Sequence, residues 1–389
     1  MTHALTQTTL ISSFQCLGEA CEDTCCQNWS MQLDAPTLAK YESAAPELLA
    51  AVEREEGGLP VMRRDPATRH CVKMENGLCG IHKRYGDAML GDACHFYPRV
   101  TRTLGQKTLM TATPSCPEIV RLMLALEMPF APVDGAALRL PHSLKNYLPE
   151  GMDEAVALAV HQAFLDCALD ASLAPQQALA HIASVARSME LLDAKTLDQS
   201  VPLYLRLAGG RLPVAEAHPA DAFNLLHALC GLIVASHKPI SDRLRKTISD
   251  MERSLQATLD WERVQISLGE GSAAALADIR AKWQEASPHY AHALRRYLAM
   301  QLSLALFPFA GLGGNASERV TFIGVRFATI KLALACAHHL HGPLAGEDIV
   351  RIIQSLSRFM DHLGDAAFSL SIYAETGWNK EARLLALCA

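Results

Sequence analysis

The chain has 389 residues, half of them hydrophobic and a fifth charged, which excludes disorder and supplies material for two or three domains with a sizeable core. Its formal net charge of −6 at pH 7 gives no overall basic surface of the kind nucleic-acid binding asks for. Charge is uneven, however. Residues 1–59 carry nine acids against Lys40 and Arg54, and residues 60–107 carry nine lysines and arginines against Asp65, Glu75, Asp87 and Asp92. Such a contrast either steers a charged partner or is ordinary solvated surface.

The opening "MTHALTQTTLISSFQ" lacks the basic-then-apolar order of a signal peptide. The longest apolar stretches, "LLHALCGLIVAS" and "LSLALFPFAGLGG", fall short of the ~20 residues that cross a bilayer. The expectation is a cytoplasmic protein without membrane insertion, in a compartment where structural disulfides rarely persist.

Along the chain, Asp34-Ala-Pro-Thr predicts a capped helix start, with periodic apolar positions continuing to about Glu55. "RVTRTL" and "KTLMTAT" flank Gly105-Gln106 and predict a hairpin. Ser115-Cys-Pro-Glu118 matches a capping box before "IVRLMLALE". That puts Cys116 in a first helical turn, where the helix dipole favours a thiolate.

After about residue 150 the texture becomes helical. "MDEAVALAVHQAFLDCAL", "PQQALAHIASVARSMELL", "DAFNLLHALCGLIVASH" and "DRLRKTISDMERSLQATLDWERV" all repeat apolar residues at helical spacing. Further helices are predicted at about 274–306, 317–341, 345–362 and 364–374, the first kinked or split at Pro288. No strand is predicted in this part. The expected fold is mainly α: a small irregular α+β cysteine-rich domain over 1–130, then an all-helical domain over 150–389 that binds a substrate or partner.

Eight of the twelve cysteines precede residue 117: Cys16, Cys21, Cys25, Cys26, Cys71, Cys79, Cys94 and Cys116. Cys167, Cys230, Cys336 and Cys388 sit among apolar neighbours and read as small core residues. In a reducing compartment the early eight point to metal or redox chemistry. Their spacing, C-x4-C-x3-C-C followed by C-x7-C and two distant thiols, departs from the paired C-x2–4-C knuckles of zinc ribbons. Soft thiolates suit zinc, copper(I) or an iron–sulfur cluster alike. His70, His82 and His95 stand near cysteines as further ligands or surface imidazoles. Glu22, Asp23, Glu118 and Tyr97 are the titratable neighbours, each a surface, capping or catalytic group.

These flanks carry a resemblance. "FQCLGEACEDTCCQNWSMQLD", "CVKMENGLCGIHKRYGDAMLGDACHFYPR" and "SCPEIVRL" together resemble the flagellin lysine-N-methylase family. The first third is also similar to a wider group of zinc- or iron-chelating domains with a Cys-Cys doublet. The likeness is specific over about residues 10–125. It includes all eight cysteines with Trp29, Asp34, His82, Pro98, Arg99 and Glu118. It implies methyl transfer to flagellin lysines, with S-adenosylmethionine as donor and a [4Fe-4S] cluster as cofactor, zinc being the alternative.

The residues themselves leave the donor site and the catalytic base unassigned. Gly311, Gly313 and Gly314 in "AGLGGNASERV" lie between helical segments and follow no strand, unlike the glycine turn of a doubly wound nucleotide site. Cys21-x3-Cys25 begins a C-x3-C-x2-C radical-enzyme pattern, but the next cysteine is immediate, at Cys26. Two other readings stay open: a non-catalytic interaction protein with a structural zinc or iron site, and a redox switch on the Cys25-Cys26 pair.

Overall fold

The computed structural model describes residues 4–27, 30–55, 57–135, 139–208, 218–237, 240–362 and 366–388; Trp29 lies outside them. The fold is mainly α. Its first part begins with β1 (Ala4–Thr8) and the short α1 (Thr9–Ser13), and continues through α2 (Ala35–Ala44), β2 (Val52–Arg54), β3 (Pro60–Met62), β4 (Met74–Glu75), β5 (Leu78–Cys79), α3 (Gly80–Tyr85) and α4 (Asp92–Phe96). It closes with β6 (Arg99–Leu104), β7 (Lys107–Ala112), α5 (Pro117–Ala125) and β8 (Pro132–Asp134). One four-stranded sheet runs in the order β6-β7-β1-β8, with β1 parallel to β7 and antiparallel to β8. The predicted hairpin is its edge: β6 and β7 pair from Leu104↔Lys107 outward around Gly105, whose φ of +58° is a turn conformation that suits glycine.

The second part contains α6 (Glu154–Leu169), α7 (Pro175–Ser188), α8 (Leu197–Ala208), α9 (Asp221–Ser236) and α10 (Asp242–Leu255). After the strands β9 (Ala257–Asp260) and β10 (Gln265–Leu268) come α11 (Ser272–Leu304), α12 (Ala316–His341), α13 (Gly346–Met360), α14 (Ala366–Glu375) and α15 (Glu381–Cys388). α12 is long and apolar enough to span a bilayer by length and composition, but 89% of its apolar window is buried inside the fold. It is the central core helix, packed against α7, α10, α11, α13 and α15.

Four expectations need correction. The helix from Asp34 stops at Ala44, because Pro46 opens a 3-10 turn that leads into β2. Its Asp34 cap does form, accepting from the Thr37 amide. The helix at "DRLRKTISDMERSL" ends at Leu255, where Gln256 takes a left-handed conformation, and "ATLD" and "QISL" pair as a hairpin. The second part is therefore not all-helical. α11 is not split at Pro288 but runs through it as one helix of 33 residues. Ser115 caps nothing: the N-cap of α5 is Cys116, and the Ser115 hydroxyl lies instead against Tyr97, Thr113 and His362.

Two cores organise the molecule. The larger runs from Leu5, Leu10, Leu104 and Met110 through Val120 to Phe164, Tyr297, Phe327, Leu334 and Trp378, so the sheet and α5 are packed into the helical region. The smaller is built from Met31, Leu33, Tyr41, Leu48, Met62, Cys71, Ile81 and Leu90, with Ala45 and Ala51 filling between them. Between the two lies the site.

A cysteine-lined candidate metal centre

All eight early cysteines line one cavity of ≈ 340 Å³. The smaller core supplies one wall through Met31, Leu33, Tyr41, Met62, Ile81 and Leu90, and Phe14, Tyr97, Pro98 and Pro117 supply part of the other. Each thiol is delivered by a different local device. Cys71 and Cys26 are tied by the Cys71 amide donating to the Cys26 carbonyl at 2.9 Å. Cys79 ends the two-residue ladder β4–β5, opposite Met74. Cys94 rides on α4, and Cys116 caps α5. Cys16 lies in an exposed loop, where the Gly18 amide donates to its sulfur at 3.5 Å.

Asp34 explains how α4 is held. Its carboxylate caps α2 and also accepts from the Asp92 amide at 2.8 Å, fixing the start of the helix that carries Cys94. Asp92 in turn pairs with Arg139 at 2.5 Å and with His142 at 2.9 Å. Asp34, Asp92 and His142 bring three metal-type donor atoms together, but Arg139 already supplies the balancing cation, and the group reads as a capping hub.

Burial dominates the electrostatics. Desolvation raises Cys21, Cys71 and Cys94 above the ordinary thiol range, neighbouring thiols adding to it. Cys116 is pushed up to about 12 by burial, although the amides of Glu118 and Ile119 at the start of α5 pull it down. The expected helix effect is present and loses to desolvation. Cys25 is pulled down through its hydrogen bond with Cys26, against burial, with the nearby Arg358 guanidinium helping, and Cys26 moves up correspondingly. Buried thiols such as Cys71, Cys94 and Cys116 become thiolates together only if cationic charge enters the cavity with them.

Does the donor set fit a metal group? Four thiolates about 2.3 Å from one zinc ion stand roughly 3.8 Å apart. Among the described residues no three of these sulfurs lie within 4.8 Å of one another. An all-sulfur donor set around one cavity fits a thiophilic metal group, whether zinc or an iron–sulfur cluster.

The titratable neighbours fall into two classes. Glu22 pairs with Arg121 at 2.5 Å and Arg243 at 3.6 Å, and Glu118 with Arg121 at 3.4 Å. Asp23 is buried between Arg358, at 2.6 Å, and Gln354, whose amide donates at 2.6 Å. These carboxylates are tied up in ion pairs. Tyr97 is partly buried against the larger core, and desolvation raises its phenol well above the ordinary range. His82 and His95 line the cavity, whereas His70 does not; it pairs through its backbone with Gln27. His95 Nδ1 lies 2.7 Å from Asp87 Oδ1, so the carboxylate orients the ring.

Sequence reasoning missed the clamp on the "CEDTCC" loop. Arg358 on α13 donates to the carbonyls of Thr24 at 2.8 Å and Gln27 at 2.9 Å, and Gln354 also donates to the Ser115 carbonyl at 3.0 Å. These partners are more than 230 positions apart, beyond any local pattern. Gly311, Gly313 and Gly314 lie, as predicted, in the loop between α11 and α12, where Asn315 caps the following helix.

The description FliB lysine N-methylase C-terminal domain names a family model that matches residues 162–387. The flagellar biosynthetic protein FliU of Salmonella muenchen is 25% identical over 129 residues, 31% of this chain and 76% of that protein. The lysine-N-methylases of Salmonella typhimurium (strain LT2) and Salmonella choleraesuis (strain SC-B67) are likewise 25% identical over 129 residues. The chain spans 32% of the length of each of these two methylases. No solved structure matches. With the matched region covering more than half of its length, the chain belongs to the FliB lysine N-methylase family.

Proposed function

We propose that this chain is a protein-lysine N-methyltransferase that acts on flagellin in the cytoplasm, with S-adenosylmethionine as methyl donor and a cysteine-bound [4Fe-4S] cluster in the cavity. Family membership and the names of the relatives support the methylase activity and the flagellar substrate. The observation that carries the cofactor is the convergence of eight thiols on one cavity, twice the four that a single zinc takes.

The residues that would hold the cluster are drawn from Cys16, Cys21, Cys25, Cys26, Cys71, Cys79, Cys94 and Cys116. When bound, it supplies a cationic, redox-active centre that keeps buried thiolates ionised. The protein's own groups meet the other requirement of the reaction. A lysine amine is protonated at neutral pH and must lose a proton before it attacks a methyl group. His95, its Nδ1 engaged by Asp87, presents Nε2 as the acceptor, while apolar walls including Phe14 and Pro98 favour the neutral amine.

The test is anaerobic incubation of purified, iron-loaded protein with S-adenosylmethionine and flagellin, read by intact mass. Methyl-sized increments on flagellin lysines are expected. Unchanged flagellin, where a cell extract modifies it, overturns the activity. Metal analysis with the visible spectrum tests the cofactor separately: colourless, zinc-loaded protein would favour an interaction platform.

A further inference from the structure

We propose that the cavity houses two metal centres, a closed one on Cys26, Cys71, Cys79 and Cys94 and a more open one on Cys16, Cys21, Cys25 and Cys116. This division rests on the metal–thiolate reading above.

Packing separates the thiols first. Cys71 is part of the smaller core, and Cys26, Cys79 and Cys94 pack directly against it. None of the other four does. Cys116 belongs to the larger core across the cavity, and Cys16, Cys21 and Cys25 belong to neither. Backbone bonds reinforce the closed set. The Cys71 amide donates to Cys26, the Met74 amide to Cys71 at 2.9 Å, and the Gly80 amide to Lys73 at 2.7 Å, stitching three of the four cysteine segments into one unit. Asp34 anchors the fourth by holding the start of α4.

Mutual electrostatics divide the thiols the same way. Cys79 acts on Cys71; Cys79, Cys71 and Cys25 act on Cys94; and Cys25, Cys94 and Cys79 act on Cys26. The sulfurs acting on Cys21 are Cys16 and Cys25, and those acting on Cys116 are Cys21 and Cys25. Cys25 acts on both groups, through its hydrogen bond with Cys26 and its proximity to Cys94, so the doublet is where the two sets meet and gives one thiol to each.

The two centres differ in access. Each set has one buried cysteine, Cys71 in the closed set and Cys116 in the open one; the closed set lies wholly on the wall of the smaller core, the arrangement of a structural site. The open set includes Cys16, an exposed cysteine in a loop. Tyr97 lies within the field of Cys116 and Cys25. The open set is therefore the one a co-substrate can approach, and the closed set holds the small core together.

The experiment is anaerobic reconstitution of the full chain with ferrous iron and sulfide, followed by iron and sulfide counts and thermal unfolding. The wild type is compared with C16S/C21S and C71S/C79S. The wild type should bind about twice the iron of C16S/C21S, and C16S/C21S should keep the wild-type melting temperature. C71S/C79S should lose its iron together with stability. Should it not fold, the half-loading of C16S/C21S still decides. One cluster's worth of iron in the wild type, abolished entirely in C16S/C21S, would mean a single shared centre and overturn the division. Undiminished iron in C16S/C21S would overturn the open site. A wild type that binds no iron and sulfide would instead sink the metal–cluster reading beneath both.

Discussion

Replacing Arg358 by methionine keeps the length of the side chain and removes its charge and donors. The guanidinium lies 2.6 Å from the Asp23 carboxylate, and the two side chains are 14% and 7% exposed. It also donates to the Thr24 and Gln27 carbonyls at 2.8 and 2.9 Å. Breaking a buried pair by removing one partner costs about 3–5 kcal/mol, because the remaining charge is stranded. Gln354 still donates to Asp23, which keeps the expected loss near the lower end, about 3 kcal/mol. Urea unfolding followed by tryptophan fluorescence measures it. A double-mutant cycle with D23N isolates the pair, and its coupling should be roughly 1–3 kcal/mol, with the double variant losing less than the sum of the singles. A loss in R358M of under about 0.5 kcal/mol, or a coupling near zero, would refute the claim that α13 clamps the cysteine loop.

Further outcomes follow from other parts of the molecule. Burial in α6 depresses His161 from 6.5 to about 4, with its Nδ1 2.8 Å from the Phe307 carbonyl. The unfolded chain takes up this proton near 6.5 and the folded one only near 4, so stability is full above 6.5 and falls by roughly 3 kcal/mol as pH drops through that window. H161Q should flatten the decline in equilibrium unfolding, and an unchanged slope would exclude His161 as its source. D34A removes the cap of α2 and the tether to the Asp92 amide, for a loss of about 1–2 kcal/mol, while D34N keeps the cap and loses less; equal losses by denaturation would contradict this. Anaerobic removal of metal by chelation should expose residues 31–90 to limited proteolysis before α12, because their own core is small. Simultaneous cleavage of both regions would count against a metal-held segment.

The helices after residue 150 were readable because apolar residues recur every three or four positions over long stretches, as in α6 and α9. The hairpin around Gly105 was readable for the same local reason, a turn residue between two alternating runs. The β9–β10 hairpin was not, since "ATLDWERV" continues the helical texture of α10 and only the left-handed Gln256 breaks it. Ser115 satisfied a capping pattern on paper, but Tyr97, Thr113 and His362 compete for its hydroxyl, and such tertiary competition leaves no local trace. At the site, the cysteines announced themselves by residue type and clustering. The groups that orient them, Arg358, Gln354, Arg121 and Asp87, are ordinary charged and polar residues whose meaning depends on distant partners.

The clamp also sets a timetable for biosynthesis. Asp23 emerges from the ribosome early, while its partner Gln354 lies 331 positions later. At about 5–20 residues per second, the first thiols wait roughly 15 seconds to a minute before the helix that pins their loop is made. β1 likewise waits for β7. Nascent chains therefore carry a run of unshielded sulfurs for most of their translation, and loading belongs after release, when the last hundred residues have closed over the first thirty.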